Sequence, residues 1–170
     1  DGFTLGTSAG SNASGVNNVA WCWKESATAG FDIVSWSSTG STSTQSHSLG
    51  VAPDLYIIKN RSTSGSWFTY TTKIDGSLDY LLLNDTDAKV DFGLSAPTSS
   101  VFSTDNGSSG NNMICYAFVS KQGYSKFGSY TGNGNADGTF VYTGFRPAFI
   151  LRKESSNADV WIINDTKRNP

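Results

Sequence analysis

Four pairs of landmarks in this chain keep one spacing. Trp36 and Tyr130, Gly50 and Gly144, Pro53 and Pro147, and Trp67 and Trp161 each lie 94 residues apart. Self-similarity at a fixed offset is the mark of one supersecondary unit used twice. The offset therefore divides the chain into a first repeat over 1–97 and a second over 98–170, packed as one compact unit. The second copy is expected to be incomplete, because two full copies need 188 residues and the chain has 170. The part without a counterpart is the strand Tyr80–Leu83 and the connection after it.

The residues within each copy read as short strands. Gly123 to Pro147 is expected to form two aromatic strands, Tyr124–Tyr130 and Thr139–Thr143, around the glycine- and asparagine-rich turn 132–138. Gly30–Trp36 and Asp54–Lys59 are further strands, the second apolar enough to be central. Ser66–Thr72 and Tyr80–Leu83 follow, with a turn at Asp75-Gly76-Ser77 between them. Phe3-Thr4-Leu5 is matched by Val101-Phe102-Ser103, and Val19–Trp23 by Ile114–Phe118 at a spacing of 95. Phe149–Lys153 and Val160–Ile163 complete the set. Ten to fourteen short antiparallel strands with frequent turn signals predict an all-β fold of sandwich or jelly-roll type. Alternation puts Trp21 and Trp23 on one face of their strand and Ala20 and Cys22 on the other. The large face, with Tyr116 and Phe118 in the second copy, is expected to lie on the core.

Composition narrows the function classes. Charged residues make up 15% of the chain, while five Trp, seven Tyr and ten Phe favour strands over helices. A net charge of -2 without a cluster of Lys or Arg argues against a nucleic-acid partner. No apolar run approaches the length of a membrane-spanning helix, so membrane insertion is not expected. A start at Asp1 without Met points to a processed product or a fragment. Two cysteines do not make a disulfide scaffold. Cys22 and Cys115, on the same face of related strands, are either inert buried thiols or, if those strands pair, a disulfide.

Candidate chemistry is sparse. Gly6-Thr7-Ser8-Ala9-Gly10 matches a nucleophile-elbow pattern, but no helix pattern follows and the one histidine, His47, is the single base on offer. A plain loop is the reading for Ser8, and a polar strand end the reading for His47. Asn133, Asn135 and Asp137 resemble the first half of a calcium loop. One carboxylate holds Ca²⁺ poorly and Gly144 stands where a bidentate Glu is needed, so no cofactor is expected beyond a weak Ca²⁺ affinity there. Trp36, Tyr130 and Tyr142 beside Asn133, Asn135 and Asp137 are the candidates for glycan contact, through stacking and amide hydrogen bonds. Core packing is the competing role for those aromatics. A glycosidase needs two carboxylates across one cleft, and the two glutamates, Glu25 and Glu154, stand on no evident aromatic strand.

Several stretches also resemble one group of proteins. They are Asp1–Gly6, Val19–Lys24, Gly50–Pro53, Gly123–Gly134, Gly144–Pro147 and Asp165–Pro170. Together they are similar to an uncharacterised domain family of bacteriophage and marine viral structural proteins, such as tail fibres, often found beside SPRY- or concanavalin-like segments. The resemblance implies a non-enzymatic virion or extracellular protein: a tail-fibre, spike or capsid-decoration module. Its partners would be copies of itself, other virion proteins and host surface glycans. The family has no known catalytic residues to place on this chain. The alternative reading is a carbohydrate-binding module of a viral or bacterial extracellular protein.

Overall fold

The computed structural model describes residues 2–105 and 107–167. Among them ten strands form, together with a single helical turn, α1 (Ala9–Asn12). The strands are β1 (Phe31–Ser37), β2 (Ser43–Ser46), β3 (Leu55–Asn60), β4 (Phe68–Thr71) and β5 (Asp79–Leu82). After them come β6 (Val90–Asp91), β7 (Val101–Thr104), β8 (Asn112–Phe118), β9 (Phe149–Arg152) and β10 (Ile162–Asp165). The protein is all-β, and every strand pair is antiparallel.

Six strands make the main sheet in the order β1-β8-β3-β4-β5-β6. The chain therefore reaches forward more than fifty residues from β3 to fetch β8, which slots between β1 and β3. One glycine makes that junction possible. Gly30 has φ +75°, and a Cβ there would stand 2.7 Å from the Val119 carbonyl oxygen. The Val119 amide donates to the Gly30 carbonyl at 2.8 Å, which closes the β1–β8 ladder.

A two-stranded ribbon, β2–β7, covers one face of this sheet. Phe102 on β7 is fully buried, with its ring 5.1 Å from Tyr56 and 5.9 Å from Trp36. The Tyr56 hydroxyl donates to the Ser103 carbonyl at 3.0 Å, tying sheet to ribbon. Burial pushes the Tyr56 and Tyr70 phenols well above their ordinary range, so both stay neutral.

The face that β8 turns to this core is the small one. Met113, Cys115 and Ala117 are buried, whereas Tyr116 and Phe118 are only half-buried on the opposite face. This reverses the expected orientation. Ala117 and Cys115 lie opposite Tyr56 and Ile58 in the register, so small β8 side chains leave the space that the Tyr56 and Phe102 rings fill.

Asp54 pins three strand ends. Its carboxylate accepts the Ser120 amide at 2.7 Å and pairs with Lys73 at 2.7 Å, while its carbonyl accepts the Thr71 hydroxyl. Burial alone would raise its pKa; the Lys73 contact and the Ser120 hydrogen bonds outweigh burial and hold it below the usual carboxylate value. A depressed folded-state pKa contributes stability that is present above the unfolded value, about 3.9, and is lost as pH falls through the folded one. Asp54→Asn should therefore lower the melting temperature at pH 7, with the difference from wild type shrinking below about pH 3.9. Thermal unfolding from pH 7 to pH 2 checks this; a pH-independent difference would assign Asp54 a purely steric role.

Four expectations need correction. No strand forms at Phe3–Leu5, at Val19–Trp23, at Tyr124–Tyr130 or at Thr139–Thr143. Trp21 and Trp23 are about half exposed rather than core anchors. Trp23 lies against Phe31 and Phe118 at the end of the main sheet, and Trp21 lies 5.8 Å from Phe149. Pairing in a sheet needs a neighbour for the backbone as well as the right residue types, and none lies beside these segments as strand.

The last two strands keep the offset closely. β9 and β10 begin 94 residues after β3 and β4. Leu55 opposes Thr71 and Ile58 opposes Phe68; likewise Phe149 opposes Asp165 and Arg152 opposes Ile162. The two hairpins share one register. Their surroundings differ, since β9 is exposed along its whole length whereas β3 is interior.

Candidate functional site

The six residues singled out for glycan contact do not meet at one place. Trp36 is half-buried on β1 against Phe102 and packs with the core cluster. Tyr130 and Tyr142 are exposed, Tyr142 at 78%, in the segment between β8 and β9. Between them, Asn133 organises its own turn: its side-chain amide donates to the Asp137 carbonyl at 2.9 Å and its side-chain oxygen accepts the Asn135 amide at 3.1 Å. Gly134 follows with φ +68°, the left-handed conformation this turn requires. Asn133 thus spends its polar atoms on the loop. Among the described residues, no group of three or more His, Cys, Asp or Glu stands close enough to hold a metal ion.

A second surface is not legible in the sequence. On the face of the main sheet away from the ribbon, the end of β3, the loop after it and the outer side of β8 border a shallow, open groove. Trp67 and Tyr116 stack at 6.4 Å with planes 17° apart, and Lys59 sits over the Trp67 ring at 5.9 Å. The rim is Asn60, Arg61, Ser62, Thr63 and Ser64. Asn60 accepts the amides of Ser62 and Thr63, and the Ser62 hydroxyl accepts the Asn112 amide, so the loop is braced against β8. The Lys59 ammonium donates to the Gly65 carbonyl at 2.7 Å. A flat aromatic surface beside a cation and several hydroxyls suits the apolar face and hydroxyl edge of a sugar. The sequence signal for this surface is Lys59-Asn60-Arg61-Ser62 at the polar end of an apolar strand, with Trp67 shortly beyond.

The remaining candidates occupy plain positions. Ser8 precedes the single turn α1 and its carbonyl accepts the amides of Ser11 and Asn12. His47 stacks on Phe102 with Nε2 3.1 Å from the Thr98 carbonyl. Cys22 is exposed and Cys115 buried, and both are free thiols. Burial, with a smaller contribution from Asp32, pushes the Cys115 thiol well up, which makes it inert at neutral pH. Glu25 accepts the Ile33 amide and Glu154 the Asn157 side-chain amide.

The family described as a domain of unknown function, DUF7483, matches residues 1–170 of the chain. Searches of the curated proteins and of the solved structures give no match.

Proposed function

We propose that this chain, which belongs to the DUF7483 family, is a non-enzymatic structural module of a virus particle, of tail-fibre, spike or capsid-decoration type. In this reading it is a sandwich-type unit used twice, assembles with copies of itself or other virion proteins outside the cell, and touches host glycans. The virion setting rests on the sequence resemblance. The assembly reading rests on one observation: the part of the chain after β8 leaves a run of large apolar side chains in water. Phe140 is 85% exposed, and Tyr124, Tyr130, Tyr142, Phe149 and Ile150 are exposed with it. Large apolar side chains left exposed in one stretch of the chain support a contact surface there.

The measurement is the molar mass of purified chain by light scattering across a concentration series. Oligomers at multiples of 18.1 kDa are expected, and Phe140→Ser with Tyr142→Ser should shift them toward monomer. A concentration-independent monomer would remove the self-assembly reading.

A carbohydrate-binding role is the second reading, favoured by the Trp67–Tyr116 stack with Lys59, Asn60 and Arg61 on its rim. Here Trp67→Ala should abolish retention on a glycan array. Loss of an aromatic stacking platform costs about 1–3 kcal/mol, or roughly 5- to 150-fold in affinity. Equal retention by wild type and Trp67→Ala would take the groove out of consideration.

A further inference from the structure

We infer that the open groove bordered by Lys59, Arg61, Trp67 and Tyr116 binds an acidic polysaccharide, a pyranose polymer whose sugars carry carboxylate or sulfate groups. This assignment rests on the carbohydrate-binding reading above and names the class of glycan that the site selects.

The sequence puts two cations at the end of one strand. Lys59 and Arg61 are two residues apart where β3 runs out into its loop, and both line the groove with no Asp or Glu beside them. The excess is local, since the whole chain has 14 acidic residues against 12 basic ones. Neither cation is neutralised. Among the described residues the ion pairs are Lys73–Asp54, Lys89–Asp75 and Lys89–Asp79, and none of these residues lines the groove.

The frame around the cations is rigid. The Lys59 ammonium donates to the Gly65 carbonyl at 2.7 Å, which keeps it 5.9 Å from the Trp67 ring centroid. Its other N–H groups are left for a ligand. The Arg61 amide donates to the Asn112 carbonyl at 2.8 Å, and the Ser62 hydroxyl oxygen accepts the Asn112 amide at 2.8 Å. The loop thus grips one residue of β8 by both of its backbone polar groups. Trp67 is pinned in the same way: its amide donates to the Asn84 side-chain oxygen at 2.7 Å, and its carbonyl accepts the Leu83 amide at 2.9 Å. Backbone fixed before binding lowers the ordering cost that a ligand must offset.

Hydrogen-bond polarity selects the ligand. Lys and Arg side chains only donate. The Asn60 side-chain oxygen is engaged by the amides of Ser62 and Thr63, and the Ser62 oxygen by the Asn112 amide, so that hydroxyl has its hydrogen to give. Donors therefore surround a pair of nearly parallel rings, and the fitting ligand has an apolar face and an acceptor-rich edge. A neutral sugar presents hydroxyls that need acceptors as well as donors. A uronate or a sulfated sugar presents an anionic acceptor, for which the charge-assisted hydrogen bond is the stronger one. The shallow, open form admits the middle of a polymer as readily as its end. Single-stranded nucleic acid also stacks on aromatic rings, but it is held by a basic groove that tracks successive phosphates. Two cations beside one ring pair match one charged sugar instead.

Affinity electrophoresis through gels containing matched polysaccharides tests this. Polygalacturonate is compared with its methyl-esterified form, and a sulfated galactan with an unsulfated one, so that charge changes while the backbone stays. At least one acidic polymer should bind about tenfold more tightly than its neutral counterpart, and the pair that responds distinguishes carboxylate from sulfate. Arg61→Gln and Lys59→Gln should each weaken that binding about threefold or more. Arg146→Gln, which removes an exposed arginine outside the groove, should leave it unchanged. Equal binding of acidic and neutral forms would overturn the inference and keep the carbohydrate reading. Failure to bind either acidic polymer would also overturn it, and the glycan array then decides the carbohydrate reading separately. A loss from Arg146→Gln as large as that from Arg61→Gln would reduce the effect to net charge and count against the site. Tighter binding of oligothymidylate than of either acidic polymer would likewise refute it.

Discussion

Replacing Phe102 with alanine should cost about 3–5 kcal/mol of folding stability. Phe102 has no exposed surface and stands where the β2–β7 ribbon meets the main sheet. Its ring contacts Tyr56 at 5.1 Å, Trp36 at 5.9 Å and His47 at 6.3 Å. Truncation removes the transfer free energy of a benzyl group and leaves a cavity that two rigid layers close only in part. It also loosens the seat of Ser103, whose carbonyl is the partner of the buried Tyr56 hydroxyl. Trp23→Ala is the natural comparison. Trp23 is 47% exposed, so its loss should cost only about 1 kcal/mol despite the larger ring. Urea unfolding of both variants decides the order. If Trp23→Ala proved the more damaging, the ribbon would not be what closes the core.

The second large effect is expected from Lys89→Met. Asp79 on β5 is completely buried, and Lys89 reaches it at 2.8 Å while also bonding Asp75. Hydrogen bonds to Asp75 and then Asp79 push the Lys89 ammonium above its ordinary range, and the Lys89 contact holds Asp75 well below the usual carboxylate value. The other Asp79 oxygen, Oδ2, is buried with no hydrogen-bond partner among the described residues. Methionine keeps most of the apolar stem but strands the carboxylate, which is far more damaging than losing an exposed pair. A fall in melting temperature on the order of 10 °C is expected. Asp75→Asn, at the exposed end of the same lysine, should shift it much less. Lys89→Met combined with Asp79→Asn should recover most of the loss, because the uncompensated charge is gone. Scanning calorimetry of the three variants reads this directly, and a double variant no more stable than Lys89→Met alone would contradict it.

Much of the architecture is legible in the residues alone. The apolar, β-branched and aromatic run Leu55-Tyr56-Ile57-Ile58 suits an interior strand, and β3 is one. The Asp75-Gly76-Ser77 turn follows from its residues: Asp75 accepts the Ser77 amide, and Gly76 adopts φ +101°. The offset between Trp67 and Trp161 survives as two hairpins of equal register. These are local features, set by side-chain period, turn chemistry and backbone freedom, so a single sequence contains them.

Other features were decided by what lies next to each segment. Alternation identified two faces on Ile114–Phe118, but which face is buried depends on the layer opposite. There Tyr56, Tyr70 and Phe102 occupy the volume, and the β8 residues opposite Tyr56 and Ile58 are the small Ala117 and Cys115. The groove of Lys59, Arg61, Trp67 and Tyr116 joins residues from separate strands that meet only because β8 crosses to lie beside β3. Tyr124–Tyr130 and Thr139–Thr143 have strand-like residues and the turn between them forms, yet neither pairs as strand. A turn is closed by hydrogen bonds among its own few residues. A strand is stabilised by a neighbour's backbone and a covered face, and those are supplied by distant parts of the chain.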